Sequence, residues 1–294
     1  MRLRFDGRKA GLALVITADT LWGTVFVVSQ VGLRYTDPYN LAFLRFFVAA
    51  VLACALVIPF DRKLGITREL RRGMTWAFGL LYTMGFMLQY VGQAWTSAPD
   101  ATLLSNLSPI MIPPFAFFIL KDRITKFNTI AMVLGLGGLV LVTSPSIGTG
   151  SLEVMGDLVL LLTSVCYALF TIFTKKYNVS SAGSSFAIII VTTLFSFPIA
   201  VTLGGLIPSI ESIGAVGWEA VLYLGVACTL IAITLYLRGL KMIRASEAAF
   251  LFLVQVLVGL VLSGILLGEF LSPVQTAGAI AIIVALVFGL SAKR

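Results

Sequence analysis

Residues 248–268 read AAFLFLVQVLVGLVLSGILLG, an apolar stretch without a single charged side chain. As an α-helix this stretch would be about 30 Å long, because each residue adds about 1.5 Å. That length matches the hydrocarbon core of a bilayer, so the stretch predicts a membrane-spanning helix. The rest of the chain contains nine more apolar stretches of this kind. The ten predicted spans cover residues 11–33, 40–60, 74–94, 99–120, 127–144, 156–174, 184–206, 218–237, 246–268 and 273–291.

The overall composition agrees with a polytopic membrane protein. Of the 294 residues, 59 % are hydrophobic and 12 % are charged, and the mean hydropathy is +1.03. Soluble domains average roughly 45–50 % apolar residues. Ten spans use about 200 residues, which leaves loops too short for a soluble catalytic domain. We therefore predict an all-α integral membrane protein that is not an enzyme.

The rare residue types exclude several kinds of site. The chain has no histidine, which excludes a Ser-His-Asp triad, an H-E-x-x-H zinc site and haem ligation through imidazole. The three cysteines, Cys54, Cys166 and Cys228, lie in separate apolar stretches and form no C-x-x-C pair. The sequence thus predicts neither a metal nor a cofactor.

The basic residues indicate how the chain is oriented. With the N-terminus in the cytoplasm, all of the 21 Lys and Arg residues except Arg34 and Arg45 fall in cytoplasmic segments. This is the asymmetry that the positive-inside rule describes. We predict a multi-pass protein of the cytoplasmic membrane with both termini in the cytoplasm and lipid as a partner. The net charge of +8 is then explained without nucleic acid, and monomer and dimer both stay open.

The chain also repeats itself. Residues 97–123 align without a gap with residues 244–270, which places Pro109 on Val256, and near the start of each half Trp22 corresponds to Tyr167. We predict two repeats, residues 1–145 with spans 1–5 and residues 146–294 with spans 6–10. Because each repeat has an odd number of spans, the second enters the bilayer in the opposite sense. Inverted repeats of this kind recur in secondary transporters, with the substrate site where the halves meet.

Several short motifs carry a family resemblance. They are LWG at 21–23, AFLRF at 42–46, LSP at 107–109, LKDR at 120–123 and GILLGEFLSP at 264–273. In order and spacing they resemble two tandem repeats of the EamA family, which belongs to the drug/metabolite transporter superfamily. The resemblance implies ten helices, a central cavity and export or exchange of small metabolites, often amino acids. Two residues depart from the family pattern: Val256 replaces a proline of the ninth span, and Asp122 stands where glutamate is usual.

Two charged residues lie inside predicted spans. Asp19 sits about 10 Å deep in the first span on helix-rise geometry. Because charge in a bilayer is costly, Asp19 is either a carboxylate that binds a substrate amine or a coupling proton, or a structural acid paired with a basic side chain or a helix terminus. Arg45 matches the arginine of the family's second span. It either holds a carboxylate or gates the outer mouth, or it packs against carbonyl groups near the outer end.

Polar and aromatic residues form stripes on neighbouring spans. Such stripes either pack helices together or line a small-molecule pocket. The repeat strengthens the second interpretation, since Gln89 aligns with Tyr236 and Trp22 with Tyr167. Besides Asp19 and Arg45, the predicted cavity residues are Trp22, Tyr82, Phe86, Gln89, Gln93, Asn106, Tyr167, Tyr236 and Gln255.

The acidic residues Asp100 and Glu247 occupy matching repeat positions, and we interpret them as helix-capping residues. The functional prediction is a secondary carrier that moves a small metabolite, an amino acid or a related amphipathic compound, by alternating access. A flippase for a lipid-linked substrate and a structural membrane protein are the alternatives. The sequence contains no P-loop motif that would indicate direct ATP drive.

Overall fold

The helical fold is seen in a computed structural model that describes residues 2–57, 65–121, 124, 126–149, 152–177, 182–240, 242 and 245–291. Helices make up 89 % of the structure, and the residues in these ranges form no strand. The prediction of an all-α protein is confirmed. The departure from the family pattern at Asp122 lies outside the described residues.

The described part of the first half is a run of helices joined by short turns. They are α1 (Arg2–Gly23), α2 (Val25–Gly32), α3 (Pro38–Val57), α4 (Ile66–Leu70), α5 (Gly73–Gln93), α6 (Ala98–Ser105), α7 (Ser108–Leu120) and α8 (Lys126–Thr149).

The second half follows the same order and adds two π-helical segments, π1 and π2. Its elements are α9 (Leu152–Lys176), α10 (Ala182–Leu203), α11 (Leu206–Ser212), α12 (Gly214–Gly225), π1 (Val226–Ile231), α13 (Ala232–Leu240), α14 (Ala245–Leu262), π2 (Ser263–Leu267) and α15 (Pro273–Ser291).

Within the described ranges, six helical stretches are long and apolar enough to cross a membrane. They are Gly7–Gly32, Pro38–Ala55, Ala98–Leu120, Leu152–Thr174, Gly183–Leu203 and Gly214–Tyr236, and shorter apolar helices cover Thr129–Val142, Val254–Leu267 and Pro273–Ala285. The remaining stretch that the sequence predicts as a span, residues 74–94, coincides with the 21-residue helix α5. The chain is therefore a multi-pass membrane protein.

Large apolar side chains face outward from the helices. Val133 and Val140 on α8 are 66 % and 61 % exposed, and Phe118 on α7 is 69 % exposed. A water-soluble monomer rarely presents so much contiguous apolar surface. These side chains match a lipid environment.

Corresponding helices of the two halves make corresponding contacts. Helix α9 packs along α5, and its counterpart α1 packs along α13. The α9–α7 contact is matched by α1–α14, and the α10–α5 contact by α3–α12. The final helices of the two halves, α8 and α15, pack along each other. The pattern of helix contacts thus repeats the sequence alignment of the halves.

The two halves differ where their fourth long helices are interrupted. In the first half, Asn106 and Leu107 separate α6 from α7, because Pro109 has no backbone N–H to donate to the carbonyl of Ser105. In the second half, Val256 occupies the proline's repeat position and α14 continues through it. The irregularity of that helix instead lies at π2, near its end.

Buried apolar residues form two clusters rather than one. The first includes Phe46, Phe86 and Ile189, from α3, α5 and α10. The second includes Phe26 and Leu104, together with residues of α7, α8, α14 and α15. The candidate site is bordered mainly by residues of the first cluster, and Phe26 of the second cluster also reaches it.

Candidate functional site

A cavity of about 320 Å³ lies between the two halves of the chain. It is bordered by residues of both apolar clusters, among them Phe46 and Phe26. Nine of the residues that the sequence predicts for a cavity line it, namely Trp22, Arg45, Tyr82, Phe86, Gln89, Asn106, Tyr167, Tyr236 and Gln255. That these residues contact a substrate remains a prediction.

Aromatic rings form most of the apolar wall. The Phe86 ring meets Phe46 and Tyr82 edge to face, with ring centroids 4.8 and 4.7 Å apart. Tyr167 lies 5.5 Å from Phe86, and Phe170 lies 4.9 Å from Tyr82. These five rings, which we call the ring cluster, hold each other in tilted or edge-to-face pairs, the arrangement that aromatic quadrupoles prefer.

A second aromatic pair borders the cavity opposite the polar residues of α5. The rings of Trp22 and Tyr236 have centroids 5.0 Å apart. Trp22 comes from α1 and Tyr236 from α13, so this pair joins the two halves. Both sides of the cavity therefore offer aromatic surface to a ligand.

Arg45 is the charged residue of the cavity lining. Its residue surface is only 3 % exposed. The Nε atom donates to Oγ1 of Thr229 at 2.7 Å, and Nη1 donates to the hydroxyl of Tyr90 at 3.0 Å. The guanidinium carbon lies 4.9 Å from the ring centroid of Phe86. The Arg45 guanidinium is thus held by two neutral hydroxyl oxygens and by the ring of Phe86.

The segment π1 brings polar groups of an otherwise apolar helix to the cavity. Thr229 donates its hydroxyl to the carbonyl of Leu224, five residues earlier, and accepts from Arg45. The carbonyl of Cys228, in the same segment, accepts from the indole N–H of Trp22 at 2.9 Å. A π-helical turn frees backbone and side-chain groups in this way and is frequent at functional sites.

A second hydrogen bond runs in the opposite direction between the halves, from the second half to the first. The hydroxyl of Tyr167, the counterpart of Trp22, donates to Oε1 of Gln89 at 2.5 Å. Gln89 lies on α5, which corresponds to the α12–π1–α13 segment that holds Cys228. Each half thus presents an aromatic donor to the third long helix of the other half.

The break between α6 and α7 contributes the polar floor of the cavity. Ser105, Asn106 and Ser108 all border it. The side chain of Asn106 donates to the carbonyl of Thr102 at 2.6 Å and accepts from Nε2 of Gln255 at 3.0 Å. Gln255 is thereby turned inward from α14, away from lipid.

Two predicted cavity residues lie elsewhere. Gln93 is fully buried, donates to the carbonyl of Phe26 and accepts from the hydroxyl of Ser29 at 2.8 Å. It lies one helical turn beyond Gln89 and packs α5 against α2. Asp19 is also fully buried, on α1, and is not part of the lining. Tyr236 is close enough to Asp19 to interact with it electrostatically.

Asp19 is chemically unusual among the described residues. Neither of its carboxylate oxygens has a hydrogen-bond partner in the described part of the chain. Neither of the structural alternatives for this residue, a basic side chain or the N–H groups of a helix terminus, is found as its partner within these ranges. An unpartnered carboxylate in the protein interior is unfavourable in its charged form.

The helix cap predicted around Asp100 is present, but Ser97 forms it and the Asp100 carboxylate does not. Oγ of Ser97 accepts from the backbone N–H of Asp100 at 3.2 Å, with Pro99 in the first turn of α6. The Asp100 carboxylate accepts from Nε2 of Gln275 at 3.0 Å, which ties α6 to α15. The side chain of Glu247 lies outside the described residues.

Sequence reasoning missed other lining residues. Phe170 and Thr171 lie one turn after Tyr167 on the same face of α9, so the stripe argument could have found them. Cys228, Thr229 and Ile189 stand in apolar runs without a polar stripe. The full set of missed residues is Val25, Phe26, Phe46, Ser105, Ser108, Phe170, Thr171, Ile189, Cys228, Thr229 and Ile233.

Comparison with known proteins identifies the family. The model of the EamA-like transporter family matches residues 9–144 and again residues 154–290. The chain belongs to the EamA-like transporter family. Its two matches are the two tandem repeats.

Two relatives align with nearly the whole of the EamA-like chain. An uncharacterized transporter of Archaeoglobus fulgidus is 25 % identical, over 92 % of this chain and 95 % of the relative. A probable amino-acid metabolite efflux pump of Salmonella typhimurium is 26 % identical, over 99 % and 97 %. A protein of known crystal structure superposes with a TM-score of 0.68 at 19 % identity, covering 95 % of this chain and 96 % of the other. That last likeness shows a shared fold.

Proposed function

We propose that this EamA-like protein is a secondary transporter that exports or exchanges small metabolites, amino acids or related amphipathic compounds, through the cavity. The observation that carries the proposal is the cavity itself, which both halves line with aromatic and polar residues. A pocket of aromatic walls and a few oriented polar groups suits a small amphipathic solute. The efflux activity named for the Salmonella relative supports the same class of function.

The proposed topology has ten spans in two inverted repeats, residues 1–145 and 146–294. The matched helix contacts of the two halves support it. We place α5 across the bilayer as the third span because it packs along α9 and α10, both of which are long and apolar enough to cross. The distribution of Lys and Arg supports an N-terminus and a C-terminus in the cytoplasm. The cell membrane is the proposed location.

The proposed mechanism is alternating access around the cavity. Both halves line the cavity, so a movement of one half relative to the other would open it to the two sides of the membrane in turn. The break at Asn106 and the turn π1 border the cavity and supply irregular backbone where helices can bend. Asp19 is proposed to carry the coupling proton rather than to bind a substrate amine, since it lies outside the lining.

Counterflow in proteoliposomes tests this function. Purified protein is reconstituted with a high internal concentration of an unlabelled solute, and uptake of the same labelled solute is measured with and without a pH gradient. The panel contains amino acids, organic acids, organic cations and nucleosides. We expect transient accumulation of at least one water-soluble solute. A flippase for a lipid-linked substrate, or a structural protein, would leave the whole panel at the level of empty liposomes.

A further inference from the structure

We infer that the cavity recognises an organic monocarboxylate, with Arg45 binding the carboxylate and the ring cluster binding an aromatic or apolar body. This inference rests on the proposed function and names the class of substrate for it. It is carried by the unbalanced charge of Arg45, by the geometry around its guanidinium and by the absence of an acid among the lining residues that the structure describes.

The charge of Arg45 has no carboxylate partner in the part of the chain that the structure describes. Its hydrogen bonds go to the hydroxyls of Thr229 and Tyr90, with a longer contact of 3.5 Å from Nη2 to the carbonyl of Cys228. All three acceptors are neutral. A guanidinium has more N–H donors than these contacts use. Arg45 therefore retains both charge and donors for a ligand.

One N–H of Nη1 and one N–H of Nη2 are not used by the hydrogen bonds to Tyr90 and Cys228, and a planar anion can accept from both. The ring of Phe86, 4.9 Å from the guanidinium carbon, and that of Phe46, 5.6 Å from it, occupy positions close to the group. Thr229 holds Nε from one side. A carboxylate bound by two N–H groups of a guanidinium forms a short, charge-assisted pair that is favoured where water is excluded. The buried charge is unfavourable without such a partner.

The remaining lining determines what the rest of the solute can be. Next to Arg45 lie Phe46, Tyr82 and Phe86, followed by Tyr167 and Phe170, which together form the ring cluster. These rings offer an apolar surface to an aromatic or branched body. The amide oxygen of Gln89 already accepts from Tyr167, and the amide oxygen of Asn106 accepts from Gln255.

The cavity provides no ionic partner for a solute's ammonium group. Among the described residues that line it none is acidic, and Asp19 lies outside it. The positive charge of Arg45 opposes a cation and favours an anion in a site shielded from water. Recognition therefore depends on the carboxylate and on the body, and an amino group is not required.

Three probes with the same phenyl body separate these requirements. They are 3-phenylpropanoate, which has a carboxylate alone, phenylalanine, which has both charges, and 2-phenylethylamine, which has an ammonium alone. Binding is measured as a concentration-dependent rise of the melting temperature in detergent, and competition is measured in counterflow. We expect 3-phenylpropanoate to bind at least as tightly as phenylalanine, and 2-phenylethylamine to be without effect. Equal or tighter binding of 2-phenylethylamine overturns the inference.

Variants of Arg45 test the assignment of the carboxylate. In Arg45→Gln, binding of 3-phenylpropanoate should weaken by roughly 30-fold or more, the scale of removing one member of a buried charge pair. Arg45→Lys keeps the charge without the planar pair of donors, so we expect a smaller loss and an unchanged preference for carboxylate over amine. Arg68→Gln removes an exposed arginine outside the cavity and should bind as wild type. Unchanged affinity in folded Arg45→Gln or an inverted preference in Arg45→Lys overturns the assignment.

Different results would contradict the transporter function and the monocarboxylate specificity. Counterflow of other solutes in the panel, without any effect of 3-phenylpropanoate or phenylalanine, would contradict the monocarboxylate inference and leave the transporter function standing. Binding of 3-phenylpropanoate without counterflow of any solute would contradict the transporter function instead.

Discussion

The indole N–H of Trp22 donates a 2.9 Å hydrogen bond to the backbone carbonyl of Cys228, across the boundary between the two halves. Its counterpart in the repeat is the 2.5 Å bond from the hydroxyl of Tyr167 to Gln89. Both bonds join residues of the two halves, and their aromatic donors line the cavity. A shift of one half relative to the other would therefore change the shape of the cavity.

Removing either aromatic donor should change selectivity. In Trp22→Phe and Tyr167→Phe a ring is kept and the donor is lost, which removes a hydrogen bond worth about 0.5–1.5 kcal/mol. We expect counterflow affinity or the order of preferred solutes to change, with little change in the amount of folded protein. Trp76→Phe is the matched control, because Trp76 donates to the carbonyl of Leu70 at an exposed site. Loss of folded protein equal to the loss of activity would make the two residues packing residues.

Neutralising Asp19 should affect coupling more than stability. The charge of this buried carboxylate can be relieved by a proton, and Asp19→Asn removes the charge while keeping the shape. We expect the variant to insert and melt like wild type, and its transport to lose dependence on pH. Wild-type pH dependence together with a lower melting temperature would show that Asp19 is a structural acid.

Two adjacent glycines on α8 should respond differently to alanine. A Cβ at Gly138 would lie 2.7 Å from the carbonyl oxygen of Gly278 on α15, whereas a Cβ at Gly137 would have nothing within 4 Å. Both substitutions favour the helix equally, so their difference isolates the packing of α8 against α15. We expect Gly138→Ala to be destabilised by about 1–3 kcal/mol and Gly137→Ala to melt at or above the wild-type temperature. Equal melting temperatures would contradict the close contact.

The orientation can be measured with single cysteines. In a background in which Cys54, Cys166 and Cys228 are replaced by alanine, Arg34→Cys should label from outside intact cells. Lys126→Cys should label only after permeabilisation. Both positions are exposed in the structure. Labelling of Lys126→Cys from outside in a correctly inserted protein would reverse the proposed topology.

The sequence predicted much of the cavity because polar and aromatic residues recur there at helical spacing. Tyr82, Phe86 and Gln89 share one face of α5, and all three border the cavity. Gln93 continues that face, but it lies one turn deeper than the cavity extends, about 6 Å further along the axis. Periodicity identifies which face of a helix borders a cavity, but it does not show how far along the helix the cavity extends.

Other features depend on three-dimensional packing and leave no periodic signal. Thr229 follows an apolar run, and its role depends on π1, which the residue pattern of α12 and α13 does not predict. Phe46 and Ile189 belong to apolar helices on which every face carries large residues. Asp19 stands out in the sequence as a charge within a span, yet its place outside the cavity lining depends on how α1 packs against α13.

Filling the cavity tests most directly whether it is the transport site. Ile233→Trp places a large ring into the lining, whereas Ile231→Trp, two residues earlier, places the same ring on a surface that is 44 % exposed. Both variants are reconstituted at equal amounts of folded protein, and counterflow of a solute that the wild type accumulates is measured. The account predicts that Ile233→Trp abolishes accumulation and that Ile231→Trp retains it. Accumulation by folded Ile233→Trp at the wild-type rate would contradict the account.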